Sequence, residues 1–423
     1  MSQRSSTRAP VPPGLATLSA PSDDLTTPSR KPERSKPLLL CLSHLRWDFV
    51  WQRPQHLLSR AAREFRVVVF EEPAFRPAVM PHLETRTTPD GVVVVVPVLP
   101  EGMRPIEDIV AQRDLLDRFL AADGAEPAVL WYYTPMAMAF TSHLAAELCV
   151  YDNMDELSAF RGASPEMLAN EEELFTRADI VFTGGMSLFE AKRGRHRNVH
   201  AFPSSIDVPH FAAARERRGR EPKDQAAIAR PRTGFFGVVD ERMNIDLVAR
   251  VAELRPNWQL VMIGPVVKID EDDLPRRPNI HWLGHKSYAD LPAYLAGWDV
   301  GFMPFALNES TRFISPTKTP EFLAAGLPVV STPITDVIRP YGQQGLVEIA
   351  RDAEEFVARI AELLARPKAE WLARVDRHLA SGSWDGTWAG MRRLMGAGTK
   401  VAGPDGRISA LAGPTGSSPS IQA

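Results

Sequence analysis

The sequence predicts an α/β protein with two domains, each built on a doubly wound parallel sheet, and three features of its 423 residues lead to this prediction. Short runs of Val, Ile, Leu and Phe alternate with amphipathic stretches of helical spacing, which is the order found in βαβ units. Small clusters of polar residues follow several of these runs. In α/β proteins, ligands bind at this position, just after the carboxyl ends of the parallel strands. A charged segment at 215–230 is typical of a linker between the two halves.

Composition and charge limit the expected partners and the expected compartment of the protein. The 49 basic and 52 acidic residues give a net charge of −3, so no general attraction to nucleic acid is expected. Cys41 and Cys149 both lie in apolar runs, which argues against a disulfide framework. No apolar run approaches the length of a membrane span, and the N-terminus lacks the apolar core of a signal peptide. We therefore expect a cytoplasmic protein.

The first domain is expected at 37–206, after a disordered tail at 1–36 that is rich in Ser, Pro, Thr and Arg. Short apolar runs predict strands at 38–43, 67–71, 91–98, 128–133, 148–152 and 180–183, with 84–88 as a hairpin partner of 91–98. Amphipathic patterns predict helices at 52–65, 106–122, 136–148 and 166–178, and Ser187 is expected to cap a further helix.

The second domain is expected at 207–383, and its pattern repeats the alternation of strands and helices. Strands are predicted at 233–238, 259–264, 280–283, 300–305 and 329–330. Helices are predicted at 245–255, 353–365 and 369–379, and a Gly/Pro/Ser-rich tail at 398–423 is expected to be disordered.

The stretch SPTKTPEFLAAGLPVVST at 315–332 is the most informative part of the second domain. It predicts a loop, a short helix and a buried strand. Ser315 and Pro316 suit the cap and the first position of the helix, although Thr319 and Pro320 could take the same roles one turn later. A glycine and a proline then end the helix before the strand.

Lys318 is unfavourably placed in this helix, because the first turn already carries positive partial charge. The cost is a few tenths up to about 1 kcal/mol. An anion at the helix N-terminus would explain the lysine, since free amides and a lysine together form a phosphate site. Glu321 shares the face of Lys318 and could accept hydrogen bonds from sugar hydroxyls. The alternative is a Lys–Glu pair on the surface of an amphipathic helix.

The segment 308–332, preceded by the strand at 300–305, resembles the nucleotide-sugar site of retaining GT-B glycosyltransferases, the family 4 or group 1 clan. Many members of that clan carry a glutamate just before a Leu/Ala/Gly/Pro-Val-Val segment, as Glu321 does here. The opening motif SHLRWD at 43–48, followed by WQRPQH at 51–56, is similar to one branch of the clan.

The resemblance has one departure. The clan's usual first glutamate lies eight positions before the second, and this position is Phe313 here. Asn308 or Glu309 would have to take its place from a differently shaped loop. The departure bears on the contact with the sugar hydroxyls, and therefore on the identity of the donor.

The resemblance implies two Rossmann-like domains that face each other across a cleft, with a C-terminal helix at 384–397 that crosses back to the first domain. Lys318 and Arg242 would neutralise the donor diphosphate. The residues expected to bind the donor are Gly237, His285, Asn308, Glu309, Ser315, Thr317 and Glu321.

The first domain is expected to carry the acceptor side of the site. Asp152 ends the strand at 148–152, and related enzymes have a similar Tyr-Asp motif, so we interpret Asp152 as a cleft residue with a catalytic role. Asp155 is interpreted as an N-cap. His44, Arg46 and Asp48 cluster on the loop after the first strand and are interpreted as facing the acceptor or a phosphate. The aromatic residues of this loop are expected to pack beneath it.

The predicted activity is transfer of a sugar from a nucleoside diphosphate sugar, UDP- or GDP-linked, to a glycan or lipid-linked acceptor in cell-surface polysaccharide synthesis. The resemblance implies retention, whereas an Asp152 base would suit inversion. The acidic run at 270–273 contains Asp-x-Asp but lies in a polar loop, so no metal and no other cofactor is expected. The basic loop at 193–197 could touch an anionic membrane at the inner face.

Two other functions are compatible with the same fold. A nucleotide-sugar epimerase of this architecture would need no acceptor and would turn over the donor alone. A non-catalytic partner protein would keep the fold without the donor site, and Phe313 is the feature that suggests it.

Overall fold

A computed structural model describes residues 36–124, 126–217 and 219–398, which form two lobes with one sheet each. The strands of the first sheet are β1 (Leu38–Ser43), β2 (Arg66–Glu71), β3 (Ala74–Arg76), β4 (His82–Thr87), β5 (Val93–Pro100), β6 (Pro127–Tyr132), β7 (Leu148–Asn153), β8 (Ile180–Thr183) and β9 (Val199–Ala201). The helices around it are α1 (Arg53–Ala61), α2 (Pro105–Asp123), α3 (Met138–Thr141), α4 (Glu166–Arg177) and α5 (Met186–Lys192). Apart from Lys36 and Gly398, the tails expected at 1–36 and 398–423 lie outside the described residues.

The second lobe follows the same alternation of strands and helices. Its strands are β10 (Arg232–Phe236), β11 (Gln259–Ile263), β12 (Ile280–Trp282), β13 (Val300–Met303), β14 (Val329–Ser331) and β15 (Val347–Ile349). The remaining helices are α6 (Val208–Glu216), α7 (Lys223–Ala226), α8 (Ile245–Leu254), α9 (Leu291–Leu295), α10 (Lys318–Ala324), α11 (Thr335–Val337), α12 (Ala353–Ala365), α13 (Ala369–Leu379) and α14 (Trp384–Gly398). Among the described residues, we find no helix with the length and apolar character needed to cross a membrane.

Both sheets are doubly wound, as the sequence predicts. The first has nine strands in the order β3-β5-β2-β1-β6-β7-β8-β9, and its strand β4 pairs antiparallel with β5. The second has six parallel strands in the order β12-β11-β10-β13-β14-β15. Its strand order reverses between β10 and β13, where Thr233 pairs with Val300. Ligands of such sheets bind outside the carboxyl ends of the strands at this reversal.

Helix α10 is fixed to the second sheet by a buried aromatic cluster. Phe322 is fully buried, and its ring centroid lies 5.1 Å from that of Phe236 and 6.1 Å from that of Trp298. The side chains of Lys318 and Glu321, on the same helix, are therefore held at a fixed height above the ends of β10 and β11.

Helix α14 follows the second lobe in sequence but packs in the core of the first. Trp384, Trp388 and Met391 are buried among side chains of β1, β6 and β8. The indole of Trp388 also donates a hydrogen bond of 3.1 Å to Glu64, just after α1. The chain therefore crosses between the lobes a second time.

Two local expectations are wrong because a distant residue decides the outcome. The helix expected at 136–148 ends at Thr141, since Arg177 of α4 donates to the carbonyls of Thr141, Ser142 and Leu144. Ser187 lies inside α5 and is not its cap. Its N–H instead donates to the carboxylate of Asp336, from the second lobe, at 3.0 Å.

Helix α10 begins at neither of the two expected positions. Its first residue is Lys318 and its cap position is Thr317, between the two Ser/Thr-Pro pairs. The helix has only seven residues, so its dipole is short. Lys318 nevertheless lies in its first turn, as the sequence predicts.

Candidate active site

A cavity of about 340 Å³, here called the main cavity, lies between the two lobes at the reversal of the second sheet. Its volume falls in the range of about 300–1,000 Å³ that is common for small-molecule sites. The segments after β10 and β11 and the start of α10 form one wall, and the loop after β1 forms the wall opposite. The second lobe contributes Phe236, Gly237, Val238, Arg242, Ile263, Gly264, Pro265, His285, Lys286, Ser287, Tyr288, Leu291, Thr317, Lys318 and Glu321.

Gly237 lets the Lys318 side chain enter the cavity. Its backbone has a φ of +128°, a conformation that other residues rarely adopt. A Cβ atom at this position would lie 2.2 Å from Cε and 2.6 Å from Nζ of Lys318. A Cβ on the neighbouring Gly264 would lie 1.8 Å from the Gly237 carbonyl oxygen. The two glycines therefore make a cavity floor of bare backbone.

Lys318 and Glu321 share the main cavity without forming an ion pair. Among the described residues, the Lys318 ammonium has no hydrogen-bond or ion-pair partner, and it lies 5.5 Å from the centroid of the Phe235 ring. Glu321 is only 7% exposed. Burial raises the pKa of Glu321 to about 7, against the opposing effect of Lys318, and burial lowers the pKa of Lys318 to about 8. The alternative of a surface Lys–Glu pair is therefore excluded.

Arg242 supplies a second positive charge at the same end of the cavity. Its guanidinium binds the carboxylate of Asp240 at 2.6–3.1 Å and lies 5.3 Å from the centroid of the Phe160 ring, which belongs to the first lobe. Asp240 thus fixes the direction of the guanidinium. The remaining N–H groups can reach an anion in the cavity.

Aromatic side chains form the opposite end. Trp51, on the loop after β1, faces Tyr288 of the second lobe with ring centroids 5.8 Å apart. The His285 ring donates a hydrogen bond of 3.1 Å to the carbonyl oxygen of Phe49 and so joins the lobes at this rim. The Tyr288 hydroxyl is buried and has no hydrogen-bond partner among the described residues. The loop aromatics were expected to pack beneath their loop, but Phe49 and Trp51 line the main cavity.

A second space of about 90 Å³, here called the inner cavity, adjoins the charged end of the main cavity. Arg242, Thr317 and Lys318 line both spaces, and Ser315 lines the inner one. Asp155 also lines the inner cavity, although the sequence suggested only a capping role for it. The donor residues expected at Gly237, His285, Ser315, Thr317 and Glu321 are therefore brought together around the two cavities.

Asp152 does not face the cleft as expected. Its side chain is 0% exposed, and both carboxylate oxygens accept hydrogen bonds from Arg53 at 2.8–3.1 Å. Arg53 is itself 1% exposed and also donates to the carbonyl oxygen of Phe202 at 2.7 Å. With both oxygens bound to Arg53 and no exposed surface, Asp152 cannot contact a substrate in the cleft. The prediction of a catalytic Asp152 is corrected to a buried ion pair.

The acceptor-side cluster on the loop after β1 is not formed. Arg46 donates to Glu71 at 3.2 Å and to the carbonyl oxygen of Pro73, which holds it against its own lobe. His44 is half-buried outside both cavities, and burial lowers its pKa to about 4. Asp48 pairs with Arg86 and lines the main cavity from the first-lobe wall.

The two residues proposed to replace the clan's first glutamate also lie outside the cavities. The Asn308 side chain accepts the N–H of Thr311 at 3.2 Å and caps the 3-10 turn Glu309–Thr311. Glu309 is 76% exposed. Phe313 is half-buried and contacts Arg312 rather than either cavity. The acidic run at 270–273 is exposed and lines neither cavity.

The basic loop after α5 is partly neutralised. Arg195 pairs with Glu171 and Glu172 of α4, and the ammonium of Lys192 is buried between Glu171 and Glu156 at 3.0 and 2.7 Å. Fewer free positive charges therefore remain for an anionic surface than the sequence suggests.

Comparison with known proteins shows which proteins this chain is similar to. Residues 230–366, which carry most of the second lobe, match the family model described as Glycosyl transferases group 1. A teichuronic acid biosynthesis glycosyltransferase of Bacillus subtilis (strain 168), TuaH, is 25% identical over 286 residues, which cover 63% of this chain and 71% of that protein.

Solved structures show the same fold. The sucrose-phosphate synthase of Thermosynechococcus elongatus superposes with a TM-score of 0.63 at 15% identity, covering 85% of this chain and 98% of that one. The UDP-forming α,α-trehalose-phosphate synthase of Burkholderia xenovorans, in complex with glucose-6-phosphate, superposes with a TM-score of 0.61 at 12% identity, covering 85% and 100%. The chain has the GT-B fold, and its second lobe carries a group 1 glycosyltransferase domain. The resemblance, the fold class and the prediction of an enzyme are confirmed, and a non-catalytic partner is not favoured.

Sequence reasoning missed several residues that line the glycosyltransferase's cavities. Trp51 and Phe49 were expected in a packing role, Tyr288 was not considered, and Asp155 was interpreted as a cap. The sequence did contain a signal for Trp51 and Phe49. Several aromatic residues on one loop at the carboxyl end of a strand are more than packing beneath that loop requires. No signal in the sequence separates Asp155 from Asp152.

Proposed function

We propose that this glycosyltransferase moves a sugar from a nucleoside diphosphate sugar, bound in the main cavity, to an acceptor hydroxyl. The observation that carries the proposal is one cavity with an aromatic end and a cationic end. Trp51 and Tyr288 offer flat apolar surfaces to a nucleobase. Arg242 and Lys318 offer positive charge to a diphosphate. Glu321, in the same cavity, can accept hydrogen bonds from ribose or sugar hydroxyls.

The cationic end has a chemical role beyond binding. Negative charge grows on the diphosphate as the bond to the sugar breaks, so fixed positive groups lower the barrier most where that charge develops. Asp240 orients the Arg242 guanidinium. The Lys318 side chain is positioned by α10 and passes through the space that Gly237 leaves by having no Cβ. Because these groups are already in place, little reorganisation is needed at the moment of reaction.

The proposal extends to the finer features of the reaction. With two protein cations at the diphosphate, transfer needs no divalent metal and no other cofactor. Retention of anomeric configuration follows the clan resemblance, and UDP or GDP is the proposed carrier. The name of the Bacillus relative supports an acceptor in cell-surface polysaccharide synthesis, a glycan or a lipid-linked sugar, reached from the cytoplasm at the inner face of the membrane.

The test is titration calorimetry of the full chain with UDP, GDP and ADP, with and without EDTA. We expect one nucleoside diphosphate to bind clearly better than the others, with an affinity that chelation leaves unchanged. Its sugar conjugates are then incubated with lipid and polysaccharide extracts, where transfer should also survive EDTA. Absence of binding by every nucleotide would refute the donor site. Turnover of the donor without an acceptor would favour an epimerase, and activity restored only by Mg²⁺ or Mn²⁺ would refute metal independence.

Gly237→Ala is expected to weaken binding of the preferred nucleoside diphosphate about tenfold, from strain at a positive φ and from displacement of Lys318. Affinity is measured by calorimetry and compared with Gly102→Ala. Gly102 has a φ of +81° in a turn of the first lobe, with nothing near its added Cβ. The Gly102→Ala control should show a similar loss of melting temperature from backbone strain but keep the wild-type affinity for the nucleoside diphosphate. Equal affinity in both variants would mean that Lys318 does not depend on the glycine.

A further inference from the structure

Asp155 is a carboxylate beside the cationic end of the main cavity, and no other described side chain hydrogen-bonds to it. It lines the inner cavity together with Arg242 and Lys318. Within the described residues, no side chain donates a hydrogen bond to its carboxylate, and no cation lies at ion-pair distance. The neighbouring carboxylates are occupied, since Asp152 binds Arg53 and Asp240 binds Arg242. Among the residues that line the inner cavity, Asp155 therefore supplies the carboxylate that remains available to a substrate.

The backbone of Asp155 is held in place from both sides. The Asn153 side chain donates to the Asp155 carbonyl oxygen at 3.0 Å, and the Leu157 N–H donates to the same oxygen at 3.1 Å. The next residue, Glu156, pairs with the buried Lys192 at 2.7 Å. A loop anchored in this way presents a carboxylate at a defined position, as a catalytic group requires.

The surroundings of Asp155 make its ionised form unfavourable for the stability of the fold. Burial raises the pKa of Asp155, and Asp240 adds to the rise, whereas Arg242, Arg53 and Lys318 oppose it. The charged groups around Asp155 are therefore one carboxylate and three cations. They lie on α1 (Arg53), α10 (Lys318) and the loop after β10 (Asp240 and Arg242). A half-buried acid without a hydrogen-bond partner destabilises the folded state. Such a cost in a cleft is typical of a group kept for chemistry.

We propose that Asp155 accepts the proton of the acceptor hydroxyl during sugar transfer. The inference rests on the proposed function. The acceptor oxygen forms a bond to the anomeric carbon, and the bond from that carbon to the phosphate oxygen breaks. The electron pair of the broken bond goes to the diphosphate, and the hydroxyl proton goes to the Asp155 carboxylate. Because Asp155 shares the inner cavity with the diphosphate cations, the acceptor arrives on the side of the leaving group, which agrees with retention.

Asp155→Asn has three expected effects that a structural role would not produce together. The kcat of transfer falls by about 10²- to 10⁴-fold, the range of general-base catalysis. Affinity for the nucleoside diphosphate stays equal or rises, because a negative charge beside Arg242 and Lys318 is removed. The acidic limb of the kcat profile, where the wild type loses activity as Asp155 becomes protonated, is absent in the variant.

Melting temperature supplies an independent readout. The pKa of Asp155 is higher in the folded than in the unfolded chain, so its ionised form destabilises the fold at neutral pH. This cost declines as the pH falls below the folded pKa and is gone below the unfolded pKa. Asp155→Asn should therefore melt higher than the wild type at pH 7 and lose that advantage in acid. Asp246→Asn, an exposed carboxylate on α8, is the matched control and should keep wild-type turnover.

The outcomes separate this inference from the proposed function. If the wild type binds no nucleoside diphosphate, the donor site fails and Asp155 fails with it. If the wild type binds and transfers while Asp155→Asn keeps normal turnover, only the role of Asp155 is overturned. Loss of melting temperature and nucleotide affinity together in the variant would make Asp155 a structural residue and would equally overturn its role.

Discussion

Asp152→Asn is expected to lower the free energy of unfolding by about 3–5 kcal/mol, the cost of leaving a buried charge without its partner. Arg53 and Asp152 are 1% and 0% exposed, and the guanidinium contacts both carboxylate oxygens. The amide of asparagine offers one acceptor and no negative charge, so Arg53 stays charged in a site that water does not reach. The measurement is chemical denaturation at neutral pH, with activity assayed only on protein that remains folded.

Two further variants show whether the pair acts through charge or through packing. Replacing both residues by apolar side chains, Arg53→Met with Asp152→Leu, should cost much less than Asp152→Asn alone, since no unpaired charge is left. Glu362→Gln removes one partner of the exposed Arg359–Glu362 pair on α12 and should hardly change stability. If Asp152→Asn were as stable as the wild type yet inactive, Asp152 would return to the catalytic role that the sequence suggested.

Lys318→Met is expected to weaken binding of the preferred nucleoside diphosphate by about 1.5–3 kcal/mol, the value of a hydrogen bond to a charged group. Methionine keeps most of the apolar stem that passes over Gly237 and Phe235, so the change removes mainly the charge. Lys223→Met, on the exposed face of α7, is the matched control and should leave affinity unchanged. Calorimetry of both variants measures the difference.

The same variant should be as stable as the wild type or more stable at pH 7. Burial lowers the pKa of Lys318 to about 8, below its value in the unfolded chain. The charged form is therefore disfavoured by folding, and this cost is fully present below about pH 8. It fades as the pH rises toward the pKa of an ordinary lysine, near 10.4. A melting temperature that falls in Lys318→Met while nucleotide affinity stays intact would identify the lysine as a structural ion-pair partner and place the donor elsewhere.

The spacing of apolar residues along the chain is enough to predict the architecture of this glycosyltransferase. Strand β1 and helices α12 and α13 have the bounds that the sequence predicts, because apolar runs and helical periodicity are properties of neighbouring residues. The stretch at 315–332 identified α10 and the position of Lys318 and Glu321 for the same reason. These features depend on spacing along the chain, which the sequence records directly.

Which polar groups are free to act depends on contacts between segments that are far apart in the chain. Asp152 and Asp155 look alike in sequence, yet Arg53, 99 residues away, occupies the first and leaves the second open to the inner cavity. The wall formed by Trp51 and Tyr288 likewise joins two lobes. Whether a carboxylate is an ion-pair partner or a base depends on distances between remote segments and on the water that their packing excludes. These distances, and the exclusion of water, are set when the two sheets, α1 and the loop after β7 pack together.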